Sequence, residues 1–410
     1  MKKILFVGLL MPLFALAQES AGVRFEEGSS WPAILEKAKA ENKYIFVDCY
    51  TTWCGPCKMM KNVVFPQAEA GAYFNEKFVS IGVQLDSTQR DNDTVKRWYS
   101  KAHDLIVGYN VQAYPTFLIF SPDGKALTRV VGGNEKAADF IARVKEAMTP
   151  EKQYYTLLER YDHGERDTAF LRKMTLAAVD AYDRPTSAKA SKDYLSRQSN
   201  LLTKGNLEFI GLTTASSNDP GFQVLLRHPV QADAVLGAGK AEQKVEFIIL
   251  KEEVYPAFHS KSGPDWGMVT KRLQAKYPGL ADELLLKAKA GWYESKGDWA
   301  NFLPVVTSYM QKYGRHASQD DCNNFAFDVF LHCSDMNCVS MALDWSKKSL
   351  ENNPNAGFMD TYANILYKLG RKEEAIAAEQ KSVALAGGEQ EKAGYRETLE
   401  KMQKGEKTWL

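Results

Sequence analysis

The run "VDCYTTWCGPCKMMK" (Val47–Lys61) carries a change of period on which the rest of the sequence can be hung. It begins inside "YIFVDCY" (44–50), a nearly continuous apolar and β-branched segment of the kind that forms a strand buried on both faces. From Cys54 the pattern becomes helical and stays so to Phe65. Cys54 and Cys57 thus open a helix that leaves a buried strand. A thiolate there faces unpaired backbone N–H groups and the positive end of the helix dipole. Both favour the anion, so a thiol in that place ionises below its usual ~8.5. Two intervening residues bring the second sulfur within reach of the first. Pro56 falls in the first turn, where a missing N–H has no cost. Cys54, at the more exposed end, is expected to be the attacking thiol, and Cys57 the resolving one. Cys49 reads as a small buried hydrophobe of the strand rather than a third redox thiol.

Working outward, "WPAILEKAKAENK" (31–43) has helical spacing, and Pro66 both ends the active helix and opens "PQAEAGAYFNEKF". "VSIGVQLD" (79–86) predicts a second buried strand and "DTVKRWYSKAHDL" (93–105) a helix. "TFLIFSPDGKALTRVVGG" (116–133) predicts a β-hairpin turning at Ser121–Gly124. "NEKAADFIARVKEAM" (134–148) predicts a closing helix capped by Asn134, and Thr149-Pro150 ends the unit. A helix followed by β-α-β-α-β-β-α gives an α/β sandwich around a mixed sheet.

The chain has 410 residues, room for two or three domains. Its 52 basic and 51 acidic side chains leave a net charge of +1, no field to gather nucleic acid. "MKKILFVGLLMPLFALAQES" has a Lys-Lys start, a short apolar run and a small-x-small site ending at Ala17. This is the form of a secretory signal over residues 1–17, so the mature chain is expected to be exported, to the periplasm, with no membrane span.

From 150 to 410 strand signals nearly vanish, and an all-α helical-repeat region is expected. "YDHGERDTAFL" (161–171), "YESKGDWANFL" (293–303) and "YKLGRKEEAIA" (367–377) each place an aromatic before a glycine turn and a charged helix start. Residues 358–387 resemble a tetratricopeptide unit, with Ala363, Gly370, Ala375 and Ser382 at small positions and Glu379 where an aromatic is usual. In "DDCNNFAFDVFLHCSDMNCVSMALDW", Cys322 stands eleven residues up a helix from Cys333, ~16 Å away. A disulfide needs Cα atoms within ~7 Å. Cys333 and Cys338 are therefore the expected structural disulfide, and a zinc site using His332 is the weaker reading. A lone C-x-x-C without a second ligand pair also argues against metal at Cys54 and Cys57.

Trp53-Cys54-Gly55-Pro56-Cys57-Lys58 resembles the active-site hexapeptide of the thioredoxin family, and Ala113-Tyr114-Pro115-Thr116 its cis-proline loop. Gly132-Gly133 match a glycine turn near the last strand. The resemblance covers residues 30 to 148, within a domain of 25–149, and leans to the periplasmic branch that includes the C-terminal domain of DsbD. It implies that Asp48 is a buried acid moving protons for Cys57. It also implies that Trp53, Gly55, Pro56, Tyr114 and Pro115 border the substrate. The family's buried lysine is absent, with Gly82 and Val83 in its region, and Tyr114 replaces an aliphatic residue.

The function implied is that of an exported thiol–disulfide oxidoreductase which reduces or exchanges protein disulfides and needs no cofactor. Its partners would be disulfide-containing proteins, a thiol electron donor, and a protein bound by the helical region. The alternative is a helical-repeat scaffold or envelope-stress, chaperone-like protein with the redox domain as an accessory.

Overall fold

In the computed structural model, which describes residues 22–352 and 354–409, the run Tyr44–Tyr50 is strand β1. The signal expected at 1–17 lies outside the described residues. Side chains alternate across a strand. Ile45, Val47 and Cys49 enter one cluster, with Ile34, Ile81, Leu105 and Leu118. Phe46 enters another, with Phe74, Phe117 and Phe140. Asp48, two residues on, shares the Phe46 face, and Cys49 is wall on the other side.

β1 pairs in parallel with β2 (Phe78–Gln84) and antiparallel with β3 (Thr116–Phe120), which pairs antiparallel with β4 (Ala126–Val131). The order β2-β1-β3-β4 is the expected mixed sheet. The hairpin turns where expected, with Gly124 at φ 85° and the Ser121 N–H bonded to the Lys125 carbonyl at 2.8 Å. Helices α1 (Trp31–Glu41) and α5 (Tyr99–Gly108) contribute to the Ile45 cluster. The active helix α2 (Gly55–Met59), α3 (Ala68–Lys77) and α6 (Ala137–Ala147) border the Phe46 cluster. There Phe46 stacks on Phe117 at 5.2 Å and Phe74 on Phe140 at 5.7 Å. Each ring taken from water contributes roughly 1.5–3 kcal/mol.

Three local expectations change. The active helix does not run evenly to Phe65: it widens into a π turn over Met60–Val64. The helix expected over 93–105 breaks into α4 (Asp93–Lys96) and α5, with Trp98 at the turn packing against the Ile45 cluster. Asn134 does not cap α6. Its Oδ1 instead accepts a hydrogen bond from Arg143 at 2.8 Å, and Lys136 stands at the N-cap.

From Tyr154 to Lys404 every regular element among the described residues is helical. The glycines of the three similar segments, Gly164, Gly297 and Gly370, all take positive φ at their turns. The stretch around 358–387 is a helical hairpin, Ala356–Lys368 and Lys372–Leu385, with Ala363, Ala375 and Ser382 fully buried. By compactness the chain forms two units, one up to Gln243 and one from Lys244 on. Helix α7 (Tyr154–Asp162) belongs to the first unit and lies on β4: the Tyr154 N–H reaches Thr128 Oγ1 at 3.3 Å. Tyr155 meets the Tyr109 ring at 5.4 Å, and the Arg129 guanidinium lies over Tyr154, 5.4 Å from the ring centre.

Candidate active site

Where β1 ends, Thr51 to Trp53 form a short turn and Cys54 becomes the N-cap of α2. Cys54 and Cys57 are joined by a disulfide, with Cα atoms 5.3 Å apart, so the structure is that of the oxidised protein. The Cys57 N–H donates to Cys54 Sγ at 3.1 Å. This is one of the free amide donors expected at a helix start, aimed at the sulfur that would carry charge after reduction. Cys54 is not the exposed end that its position suggested. It is 3% exposed and Cys57 5%.

Exposure belongs instead to Trp53, at 68%. Its ring meets Tyr114 edge to face, 5.7 Å between centres. The Tyr114–Pro115 bond is cis. Thr116 Oγ1 bonds back to the Ala113 carbonyl at 2.7 Å, and the Pro115 carbonyl accepts the Gly132 N–H at 2.8 Å. Gly133 has a steric role, since a β-carbon there would lie 2.9 Å from the Met60 side chain. The hexapeptide, the proline loop and the glycine turn therefore meet at one end of the sheet.

Asp48 is buried within β1, opposite Gly82 on β2 and Phe117 on β3, so neither neighbour brings it a polar side chain. Its Oδ1 has no hydrogen-bond partner. Burial pushes the carboxyl up to about 7, and the Lys61 ammonium pulls it partly back. Lys61 is four residues beyond Cys57 and so one turn along the same helix side. It supplies the positive charge that the residues around Gly82 do not. Burial also drives the Cys49 thiol well above its usual range, which fits its place in the wall.

Two further residues hold the site, and sequence reading did not reach them. The Asp86 carboxylate accepts the Thr52 N–H at 3.0 and 3.1 Å, and also the Thr52 hydroxyl. The loop behind Asp86 is tied down by Asp91, which accepts from Gln84 and from Tyr99 at 2.6 Å. The signal available was an acid closing the apolar run "VSIGVQLD", but nothing local says that it reaches Thr52.

Cys333 and Cys338 are brought together but are not the expected disulfide: both are free thiols. The Cys333 thiol donates to the Asp335 carbonyl at 3.7 Å. Among the described residues no cluster of three or more His, Cys, Asp or Glu is placed to hold a metal, and no helix is long and apolar enough to cross a membrane.

A disulfide at the mouth of a helix, beside a cis-proline loop, defines a protein built for thiol–disulfide exchange. Residues 31–148 match the family model for the thioredoxin-like domain. Thioredoxin-1 of Saccharomyces cerevisiae is 34% identical over 103 residues, 25% of this chain and 82% of its own. DsbD, a thiol:disulfide interchange protein of Colwellia psychrerythraea, is 30% identical over 112 residues, 27% of this chain and 17% of its own. Among solved structures, a candidate disulphide-isomerase from Bacteroides thetaiotaomicron is 36% identical. It covers 30% of this chain and 91% of its own, with a TM-score of 0.25. The chain belongs to the thioredoxin family and is a thiol–disulfide oxidoreductase.

Proposed function

We propose that the chain is an exported oxidoreductase that reduces or exchanges disulfides in proteins, using Cys54 and Cys57 as its working dithiol. The observation that carries this reading is the closed Cys54–Cys57 ring set beside a lip of Trp53 and Tyr114. In the reduced protein, the Cys54 thiolate attacks a substrate disulfide, forming a mixed disulfide and releasing one substrate sulfur. Asp48, poised near neutrality, takes the Cys57 proton. The Cys57 sulfur then attacks Cys54, and the second substrate sulfur leaves. Two electrons pass to the substrate, its two sulfurs leave as thiols once protonated, and the Cys54–Cys57 disulfide closes. A thiol donor must then restore the dithiol, and the redox poise of the compartment sets the net direction. Pro115 and Tyr114 would offer backbone to an extended substrate segment, and Trp53, Gly55 and Pro56 would border it.

Export rests on the Lys-Lys start, the apolar run and Ala17. A mature protein beginning at Gln18 in the periplasmic fraction is the expected result.

A second reading, a binding scaffold with an accessory redox domain, is favoured by one feature of the helical region. A groove of about 480 Å³ is lined by Lys347, Glu351, Tyr362, Glu374 and Lys381. Helical arrays present such surfaces to partners.

A Cys57→Ala variant tests the main reading. Without the resolving thiol, Cys54 should hold substrates as mixed disulfides that a reductant releases. If the variant is folded and exported yet captures nothing through Cys54, disulfide exchange with proteins is not its work.

A further inference from the structure

The second unit holds three cysteines that the active site does not use. Cys322 is fully buried, with its sulfur 4.0 Å from the Ala317 carbonyl oxygen of its own helix start. Cys333 and Cys338 are placed differently. The helix Gln319–His332 ends at Cys333, whose backbone is extended, at φ −98° and ψ 128°. Asp335 then caps the helix Met336–Ser349, and Cys338 is the third residue of that helix. The chain reversal thus brings both side chains into one core, at 7% and 8% exposure.

Their partners are few and specific. Burial pushes the Cys338 thiol up to about 12, with Cys333 close enough to add to the rise, and the Cys333 thiol donates to the Asp335 carbonyl at 3.7 Å. Lys368, from a third helix, crosses the end of the first and donates to the carbonyls of Phe330 and Cys333, the latter at 3.0 Å. Its charge acts on both thiols. Trp409 packs over the same place, 6.1 Å from Phe330 and 5.6 Å from the Lys368 ammonium. His332 is held away as a stacked partner of Trp299, 3.6 Å between ring centres. Of these neighbours the ammonium is the one whose charge favours a thiolate.

We propose that Cys333 and Cys338 are a second redox couple, independent of Cys54 and Cys57, which closes and opens a disulfide between two helices of the C-terminal unit. Closing needs an external disulfide as oxidant. The Cys333 thiolate attacks one sulfur of that disulfide, forming a mixed disulfide and releasing the other sulfur as a thiol. Cys338 gives up its proton and attacks Cys333, and the second oxidant sulfur leaves as a thiol. Two electrons and two protons go to the oxidant, and a thiol reductant reverses every step. With both cysteines this buried, a small disulfide reaches them more readily than a folded protein does.

The test uses the full chain carrying Cys54→Ser and Cys57→Ser, which removes two of the six cysteines and leaves four. Oxidised glutathione is the probe, followed by denaturation and tagging of free thiols with a mass-labelled maleimide. Four tags are expected before oxidation and two after, with the peptide spanning Cys333 and Cys338 lighter by two hydrogens. Native treatment with dithiothreitol should restore four tags. Adding Cys338→Ala should abolish closure of that peptide. The proposal fails if four tags survive oxidation, or if the lost tags map to Cys49 or Cys322. It fails equally if the peptide carries glutathione instead of a closed ring. A disulfide that forms but resists native reduction would make the pair a fixed staple and not a couple.

Discussion

Asp86 holds Thr52 through its backbone and its side chain at once, two residues ahead of Cys54. The contact spans 34 residues of sequence and fastens the end of one strand to the turn that presents the exposed tryptophan and begins the active helix. Fixing that turn in advance saves the ordering cost of forming it at each encounter.

Asp86→Ala is therefore expected to lower turnover of a protein disulfide about tenfold, as misplacement near a reacting centre does. It should also cost roughly 1.5–3 kcal/mol in urea unfolding, the range for hydrogen bonds to a charged group. Asp86→Asn, which keeps an acceptor for the Thr52 N–H, should lie between alanine and wild type in both assays. Equal loss in the two variants would mean that the clamp works through charge alone.

Asp48 gives the pH dependence. With its carboxyl raised to about 7, the resolving step should speed up as pH rises through 7 and Asp48 becomes a base. Asp48→Asn should remove that inflection and slow the step ~100-fold, the lower end for general base catalysis, in stopped-flow release from a mixed disulfide. Stability runs the other way. A carboxyl whose pKa rises on folding favours the folded state fully below its unfolded value, and that support is lost as pH rises through 7. At pH 8 Asp48→Asn should therefore be more stable than wild type, by up to about 4 kcal/mol. At pH 4 the gain should nearly vanish.

Trp53 is the exposed half of an aromatic lip and has little to do with the core. Trp53→Ala should raise KM for a protein disulfide about tenfold, as for loss of an anchoring aromatic, with melting changed by less than ~0.5 kcal/mol. A small aliphatic disulfide should be reduced at nearly the wild-type rate. If both substrates suffer alike, the ring serves the cysteines rather than the substrate.

Glu379 carries a prediction for the helical region. It is fully buried, on the helix Lys372–Leu385, against Asp360. Burial first, and then the Asp360 charge, push its carboxyl well above the usual range, and neither of its oxygens has a hydrogen-bond partner. Melting of the full chain should show a C-terminal transition that weakens as pH rises above 5, because the folded form must give up a proton that it holds more tightly than the unfolded chain does. Glu379→Leu should flatten this slope and raise the transition by ~1–3 kcal/mol near pH 8, the cost of a poorly satisfied buried polar group. An unchanged slope would show that other groups set it.

What could be read from the sequence was what local chemistry enforces. Cys54 and Cys57 declared themselves because strand, turn and helix start are contiguous. Cys49 could be assigned to the wall, and the observed alternation of side chains along β1 puts it on the face away from Asp48. Glycine turns at 164, 297 and 370 were legible because left-handed backbone favours that residue. The failures come from tertiary competition. Asn134 could have capped α6, but Arg143 takes its oxygen. Cys54 looked exposed from its place at a helix end, yet the packing around that end buries it. The Thr52–Asp86 clamp and the Lys61 charge on Asp48 depend on which elements the fold brings together, and no local pattern encodes that.

Helix α7 bears on how this protein can be cut. Tyr154 and Tyr155 cover Thr128, Arg129 and Tyr109, and the Tyr154 hydroxyl goes on to Asp183 at 2.6 Å. A fragment stopping at Thr149 would keep every catalytic atom and lose this cover. It would expose the back of the hairpin, and a wetted, half-paired edge of that kind invites strand-to-strand association. An isolated redox fragment made for assay should run to about Gln243, where the chain divides, so that helices which look like the start of another domain remain as the shell of the first.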